Sequence, residues 1–216
     1  MQFLFDLDGT LCDPREGIVL GFRHAFAAVG LVFPGPEAVE PLIGRPLLDC
    51  CRSLGLGALS EDAARHFQTF FEGRGFAEAR LYPGVLYCLQ QLRRDGHGAA
   101  IASAKPTFAV RFVAEALGLL PWVDHVQGCA GGDLKPDKAR IIDQALLELG
   151  WHPRDCLMVG DRSQDRDGAH AHGLGFVAAA WGFGAPAEHD GALAVVKDPR
   201  ELLARLRGLA AAREGG

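Results

Sequence analysis

The sequence predicts an α/β protein: a parallel sheet flanked by helices and interrupted near its start by an all-helical insert. Three observations predict it. Short apolar runs alternate with helix-periodic segments over most of the chain, the pattern of a sheet covered on both faces by helices. The clearest of those runs end in polar residues. Between about Pro14 and Arg80, helical patterns follow one another with no strand-like run to separate them. The expected division is a core of residues 1–13 and 82–216 and a helical cap subdomain of residues 14–81.

The first strand is Phe3-Leu4-Phe5, which leads directly into Asp6-Leu7-Asp8-Gly9-Thr10. Alternate residues of a strand share a face, so Asp6 and Asp8 are expected side by side at its carboxyl end, with Leu7 turned away. In the insert, helices are expected over Gly17 to Val29, Glu37 to Leu42, Leu47 to Leu54 and Ser60 to Phe71, with Pro34-Gly35-Pro36 as a connector. Ser60 is a candidate cap, with Glu61 and Asp62 in the first turn. The linkers near Cys12-Asp13-Pro14 and Arg80-Leu81-Tyr82-Pro83 are hinge candidates. Later helices are expected over Gly84 to Asp95, Pro106 to Leu117 and Asp137 to Leu149, the last ending before Gly150. Strands are expected over Gly98 to Ala102, Val123 to Cys129, Cys156 to Gly160, Phe176 to Ala180 and Ala192 to Val196. The Ala-rich end from Leu209 to Gly216 is expected to fray.

With 216 residues, 49% of them hydrophobic, the chain can bury a substantial core. A net charge of −5 with no basic block argues against nucleic acid polymers or an anionic membrane as partners. The six cysteines form no CxxC pair and no zinc spacing, so a reducing compartment is expected. The chain opens on the first strand without a basic-then-apolar leader, and no apolar run is long enough to span a membrane. The expectation is a cytoplasmic protein, monomeric or a homodimer.

In an open parallel sheet, the carboxyl ends of the strands converge on one crevice. They bring together Asp6 and Asp8, then Ser103, then a lysine of Lys135-Pro136-Asp137-Lys138, then Asp161 and Asp165. Unpaired carboxylates at a buried strand end are costly, which points to a cation. Carboxylate oxygens suit a hard divalent ion such as Mg2+. A hydroxyl and an ammonium beside it suggest an anionic substrate with oxygens to hold, and together the set suggests a phosphoryl group.

These same segments resemble the four ordered motifs of the haloacid dehalogenase-like hydrolases: Phe5-Asp6-Leu7-Asp8-Gly9-Thr10, Ile101-Ala102-Ser103-Ala104-Lys105-Pro106, the Lys135/Lys138 segment, and Met158 through Asp165. The resemblance spans nearly the whole chain and implies a Rossmann-like core. An insert after the first motif looks like the helical cap of the phosphoglycolate phosphatase-like branch. Gly44-Arg45-Pro46, the Gly-Asp-Arg form of the last motif and Trp181-Gly182-Phe183-Gly184 are similar to a subgroup described as phosphoglycolate phosphatase or 5′-nucleotidase-like.

The resemblance implies a Mg2+-dependent phosphatase acting on a small phosphomonoester. It makes Asp6 the nucleophile that forms an aspartyl-phosphate and Asp8 the proton carrier. Mg2+ would be held by Asp6, Asp161 and the backbone carbonyl of Asp8, with Asp165 orienting that site or a metal-bound water. Ser103 would donate to a phosphoryl oxygen, with Gly9, Thr10 and Ala104 beside it. The general family pattern favours Lys135 as the catalytic lysine; the subgroup pattern and the spacing to Gly150 and Asp161 favour Lys138, which is the first choice. Arg45, in a loop of the insert, is a candidate substrate contact. Lys105 reads as a solvated residue, and Phe67, Phe70, Phe71 and Phe76 as packing between insert and core. A phosphomutase shares this signature; a non-catalytic phosphate-binding relative is a further alternative. Asp8 argues against a dehalogenase, and the first-strand position of Asp6 argues against a phospho-receiver module.

Overall fold

The computed structural model describes residues 1–73, 78–133 and 136–214. Its centre is a six-stranded parallel sheet. The strands are β1 (Gln2–Phe5), β4 (Gly98–Pro106), β5 (His125–Cys129), β6 (Cys156–Gly160), β7 (Gly175–Ala179) and β8 (Ala194–Val196), in the spatial order β5-β4-β1-β6-β7-β8. The chain builds outward from β1 to one edge and then returns to build toward the other. β1 is thus the switch point of the sheet, where a crevice opens between neighbouring strand ends.

β1 is hydrogen-bonded on both edges, and its last three residues, Phe3, Leu4 and Phe5, are buried and apolar without alternation. Phe3 and Phe5 enter one core layer with α5 (Val85–Arg94), α6 (Thr107–Ala116) and α9 (Leu202–Glu214). Leu4 enters the other, with α7 (Lys138–Leu149) and α8 (Ser163–Ala171). Where fraying was expected from Leu209, α9 runs as a helix to Glu214. Leu202, Leu203, Leu206 and Ala210 form a buried stripe on α9 that packs against α5, and this contact adds to the strong helix preference of alanine in the last turns.

The helical insert comprises α1 (Arg15–Ala28), α2 (Pro36–Val39), α3 (Leu47–Ser53) and α4 (Ser60–Gly73). Its two linkers pair as a short antiparallel ribbon, β2 (Cys12–Asp13) with β3 (Arg80–Leu81). The entry and exit points of the insert are therefore tied together. Ser60 does not cap α4 through its side chain; its hydroxyl donates to the Gly57 carbonyl at 2.8 Å. α1 packs on α4 through Phe22 and Phe67, whose ring centres lie 4.7 Å apart. All six cysteines are buried and free. Among the described residues, no helix is long and apolar enough to cross a membrane.

Leu89 is fully buried on α5, away from the carboxyl ends of the strands. Its replacement by Ala leaves a cavity that the surrounding helices fill only in part. Leu89→Ala is expected to lower unfolding stability by about 2–5 kcal/mol in urea titration, with the m-value unchanged.

Candidate active site

The site is assembled at the carboxyl ends of β1, β4 and β6 and at the starts of α7 and α8. The Asp6 amide donates to the Val159 carbonyl at 2.9 Å, extending the β1–β6 ladder by one step. The chain then turns tightly, with Leu11 and Cys12 amides donating to the Leu7 carbonyl. Leu7 is fully buried in the core, while Asp6 and Asp8 both sit at the cleft. Gly9 makes the turn possible in two ways. Its φ of 83° favours glycine, and a Cβ there would overlap the Asp161 carboxylate.

Asp161 follows β6 and is fully buried. Its Oδ2 accepts from the Phe183 amide at 2.7 Å, whereas its Oδ1 has no hydrogen-bond partner. Gly182 closes over it so tightly that a side chain at that position would collide with Asp161. Asp165, in the first turn of α8, accepts from the Arg162 amide at 3.0 Å. Lys138 begins α7, which Asp137 caps by accepting from the Ala139 amide at 2.9 Å. That start points Lys138 inward: Nζ lies 2.7 Å from Asp6 Oδ1 and 2.8 Å from Asp165 Oδ1.

Carboxylate oxygens of Asp6, Asp161 and Asp165 lie within 4.8 Å of one another, all three residues buried. Three acids face one ammonium. Burial raises the Asp161 carboxyl well above the ordinary range, and Asp165 and Asp6 push it further. Burial likewise raises Asp165 to about 6, although Lys138 pulls against it. Burial lowers Lys138, but Asp165 and Asp6 more than reverse this and hold it charged. The uncompensated charge, the orphaned Asp161 oxygen and the all-oxygen donor set fit a hard divalent cation. The Asp8 carboxylate lies outside this trio, paired instead with Lys105.

A cleft of about 140 Å³ opens between the insert and the sheet. Asp6, Asp8, Ser103, Ala104 and Lys105 line one end. Ser103 is buried where β4 falls out of register with β5, between Ala102 and Pro106. Such a break re-aims side chains near a strand end. Arg45 lines the same cleft, with its side chain largely exposed. Gly9 and Thr10 do not line it. Gly9 backs onto Asp161, and Thr10 is fully buried, its carbonyl accepting from Trp181 Nε1 at 3.2 Å. Lys135 and Phe76 lie outside the described residues.

Lys105 corrects the sequence expectation. It is not a solvated residue: its ammonium pairs with Asp8 and lies 5.6 Å from the centre of the Phe71 ring. Burial lowers its pKa to about 7, against the opposing pull of Asp6. The strand expected to end at Ala102 runs on as β4 to Pro106 and carries Lys105 with it.

Arg162 was missed as a contact residue. Its guanidinium donates to the Pro41 carbonyl at 2.9 Å, to the Ile43 carbonyl at 2.6 Å, and to Phe183 and Glu188. Gln164 Nε2 adds a bond to the Gly44 carbonyl at 2.6 Å. Residues flanking Asp161 and Asp165 thereby hold the loop of the insert that carries Arg45. Burial raises Glu188, but amide hydrogen bonds from Ser163 and Ala185 and the charge of Arg162 bring it down to about 2. No local pattern in the sequence marks these partners, because they lie about 120 residues apart.

Two outcomes test this geometry. Between its ordinary value near 3.8 and about 6, Asp165 binds its proton more tightly folded than unfolded. This group's contribution is therefore present at low pH and lost as pH rises through 6. The metal-free protein should melt at a lower temperature at pH 7 than at pH 5.5. Mg2+ should restore the loss, by about 2.7 kcal/mol at a hundredfold excess over Kd, and Asp161→Asn should blunt that response. Separately, Arg162→Ala leaves several buried carbonyls without donors. It should cost about 3 kcal/mol in chemical denaturation, and Arg162→Lys should recover little, since one ammonium cannot span the same acceptors.

The geometry has matching relatives. The family model for haloacid dehalogenase-like hydrolases matches residues 3–179. The tyrosine-protein kinase PtkA of Mycobacterium tuberculosis is 34% identical over 181 residues, which are 84% of this chain and 62% of that protein. The chain thus spans less than two thirds of that relative's length. A 5′-nucleotidase of Pseudomonas aeruginosa is 33% identical over 189 residues, covering 87% of this chain and 86% of the relative. A haloacid dehalogenase-like hydrolase from Streptococcus pneumoniae superposes with a TM-score of 0.87 at 27% identity, covering 95% of this chain and 97% of that one. With its sheet order, its buried acids and the match across most of its length, this chain belongs to the haloacid dehalogenase-like hydrolase family.

Proposed function

We propose that the protein is a phosphatase that hydrolyses a small phosphomonoester through an aspartyl-phosphate on Asp6. The observation that carries this reading is the Asp6 carboxylate itself. It ends the central strand, faces a cleft, and is held by Lys138 at 2.7 Å beside two further buried acids. The same arrangement favours Lys138 as the catalytic lysine.

In this reading one Asp6 oxygen attacks phosphorus, and the ester P–O bond breaks on the opposite side. Asp8 gives its proton to the departing oxygen. It then takes a proton from the water that attacks the aspartyl-phosphate, and the P–O bond to Asp6 breaks to release phosphate. Asp8 must arrive protonated, so its pairing with Lys105 has to loosen when substrate enters; the phosphoryl oxygens are the natural new partner for that ammonium. Ser103 donates to a phosphoryl oxygen, and Lys138 offsets charge on the transferring group. Asp6 and Asp161, with the Asp8 backbone carbonyl and with Asp165 orienting the site, would hold a Mg2+ ion, which would supply neutralisation for the approach of one anion to another. Residues 14–81 serve as a cap over the core of residues 1–13 and 82–216, held by Arg162 and Gln164, and exclude bulk water from the intermediate.

The first esters to assay are phosphoglycolate and nucleoside monophosphates. Release of inorganic phosphate from at least one ester in a panel, with Mg2+ present, is expected. Asp6→Asn should remove it by more than ~10³-fold while the fold persists by circular dichroism. Turnover that survives this substitution would sink the proposal.

A further inference from the structure

The cleft has two unlike ends. The reacting end carries Asp6, Asp8, Ser103 and Lys105. The rest of the lining, where the alcohol part of an ester would lie, includes Ile18, Phe22, Leu42, Leu47 and Phe67, with Gln68 as a polar group, and Phe71 adjoins the reacting end, its ring centre 5.6 Å from the Lys105 ammonium. Phe67 is the centre of this wall. Its ring lies 4.7 Å from Phe22 and 4.6 Å from Phe71, the latter nearly stacked at 30°. Of the aromatic residues read from the sequence as packing between insert and core, Phe67 and Phe71 pack within the insert where α1 meets α4 and also line the cleft.

Among the described residues, the cations that line the cleft are Lys105, paired with Asp8, and Arg45, largely exposed. Against the apolar wall itself, a leaving group's own carboxylate would give up water for hydrocarbon, which is costly. An aromatic ring would exchange water for ring contacts.

We infer that the esters taken by this site are aryl phosphomonoesters, or esters of a similarly compact apolar alcohol, rather than carboxylate-bearing ones such as phosphoglycolate. This rests on the phosphatase reading of the same cleft, and the test separates the two. Calorimetry with Mg2+ would compare inorganic phosphate, phenylphosphonate and phosphonoacetate, which cannot be hydrolysed as esters. Phenylphosphonate should bind at least ~10-fold more tightly than phosphonoacetate, a margin within reach of a few apolar contacts. Phe67→Ala should bring that ratio to within about threefold, and Phe67→Leu, which keeps most of the packing volume, should leave it in between. Melting curves would confirm that each variant is folded. Phosphonoacetate binding as tightly as phenylphosphonate or more so, a ratio indifferent to both variants, or no binding of either phosphonate would overturn the inference. If phenylphosphonate binds as expected but no ester releases phosphate, the hydrolase reading fails while the ligand class stands.

Discussion

Lys138, set between Asp6 and Asp165, is the interaction on which the rest of the site depends. Three carboxylates in one buried place repel one another, and burial alone would drive at least one to take up a proton. The single ammonium at 2.7 and 2.8 Å keeps that cluster in place without neutralising it. Its position is fixed from outside, by Asp137 capping the first turn of α7 and by Ile141 and Ile142 anchoring that helix on the sheet. A hydrophobic contact and a helix cap thus aim a charged group. The charge that remains is where local stability has been given up for chemistry.

That constraint spreads through the backbone. Asp161 can sit beside Asp6 only because Gly9 and Gly182 have no side chains to collide with it. Its second oxygen is held by the Phe183 amide, so the loop after β7 is part of the acidic site. The residue after Asp161, Arg162, reaches from the turn between β6 and α8 to carbonyls at Pro41 and Ile43 of the insert. Acidic site and insert are therefore joined by a continuous set of hydrogen bonds from the residues beside Asp161 and Asp165 to the Pro41–Gly44 backbone.

The two ends of the cleft obey different rules. The polar end is governed by charge and offers a phosphoryl group oxygen-seeking partners on several sides. The apolar end is governed by shape and dehydration, and comes almost wholly from α1, α4 and the loop before α3. Chemistry and selectivity are thus carried by different parts of the chain.

Much of this was legible in the sequence, for identifiable reasons. Strand-like runs ending in Asp6, Ser103 and Asp161 need only local periodicity and the rule that parallel strands end together. Those three residues, with Lys138 and Asp165, do meet at the carboxyl end of the sheet. The insert was visible as a stretch with helical spacing and no strand. What was not legible depends on contacts between distant segments. The order of the strands, the ribbon joining the two linkers and the burial of α9 follow from packing across the whole chain. Lys105 looked solvated because nothing nearby announces that Asp8 will face it. Arg162 looked like part of a motif because its acceptors are backbone carbonyls, which have no sequence identity. The residue types and their spacing determined which chemistry this protein could support; the tertiary structure decided which side chains share a boundary with water, which share one with each other, and therefore what the cleft can hold.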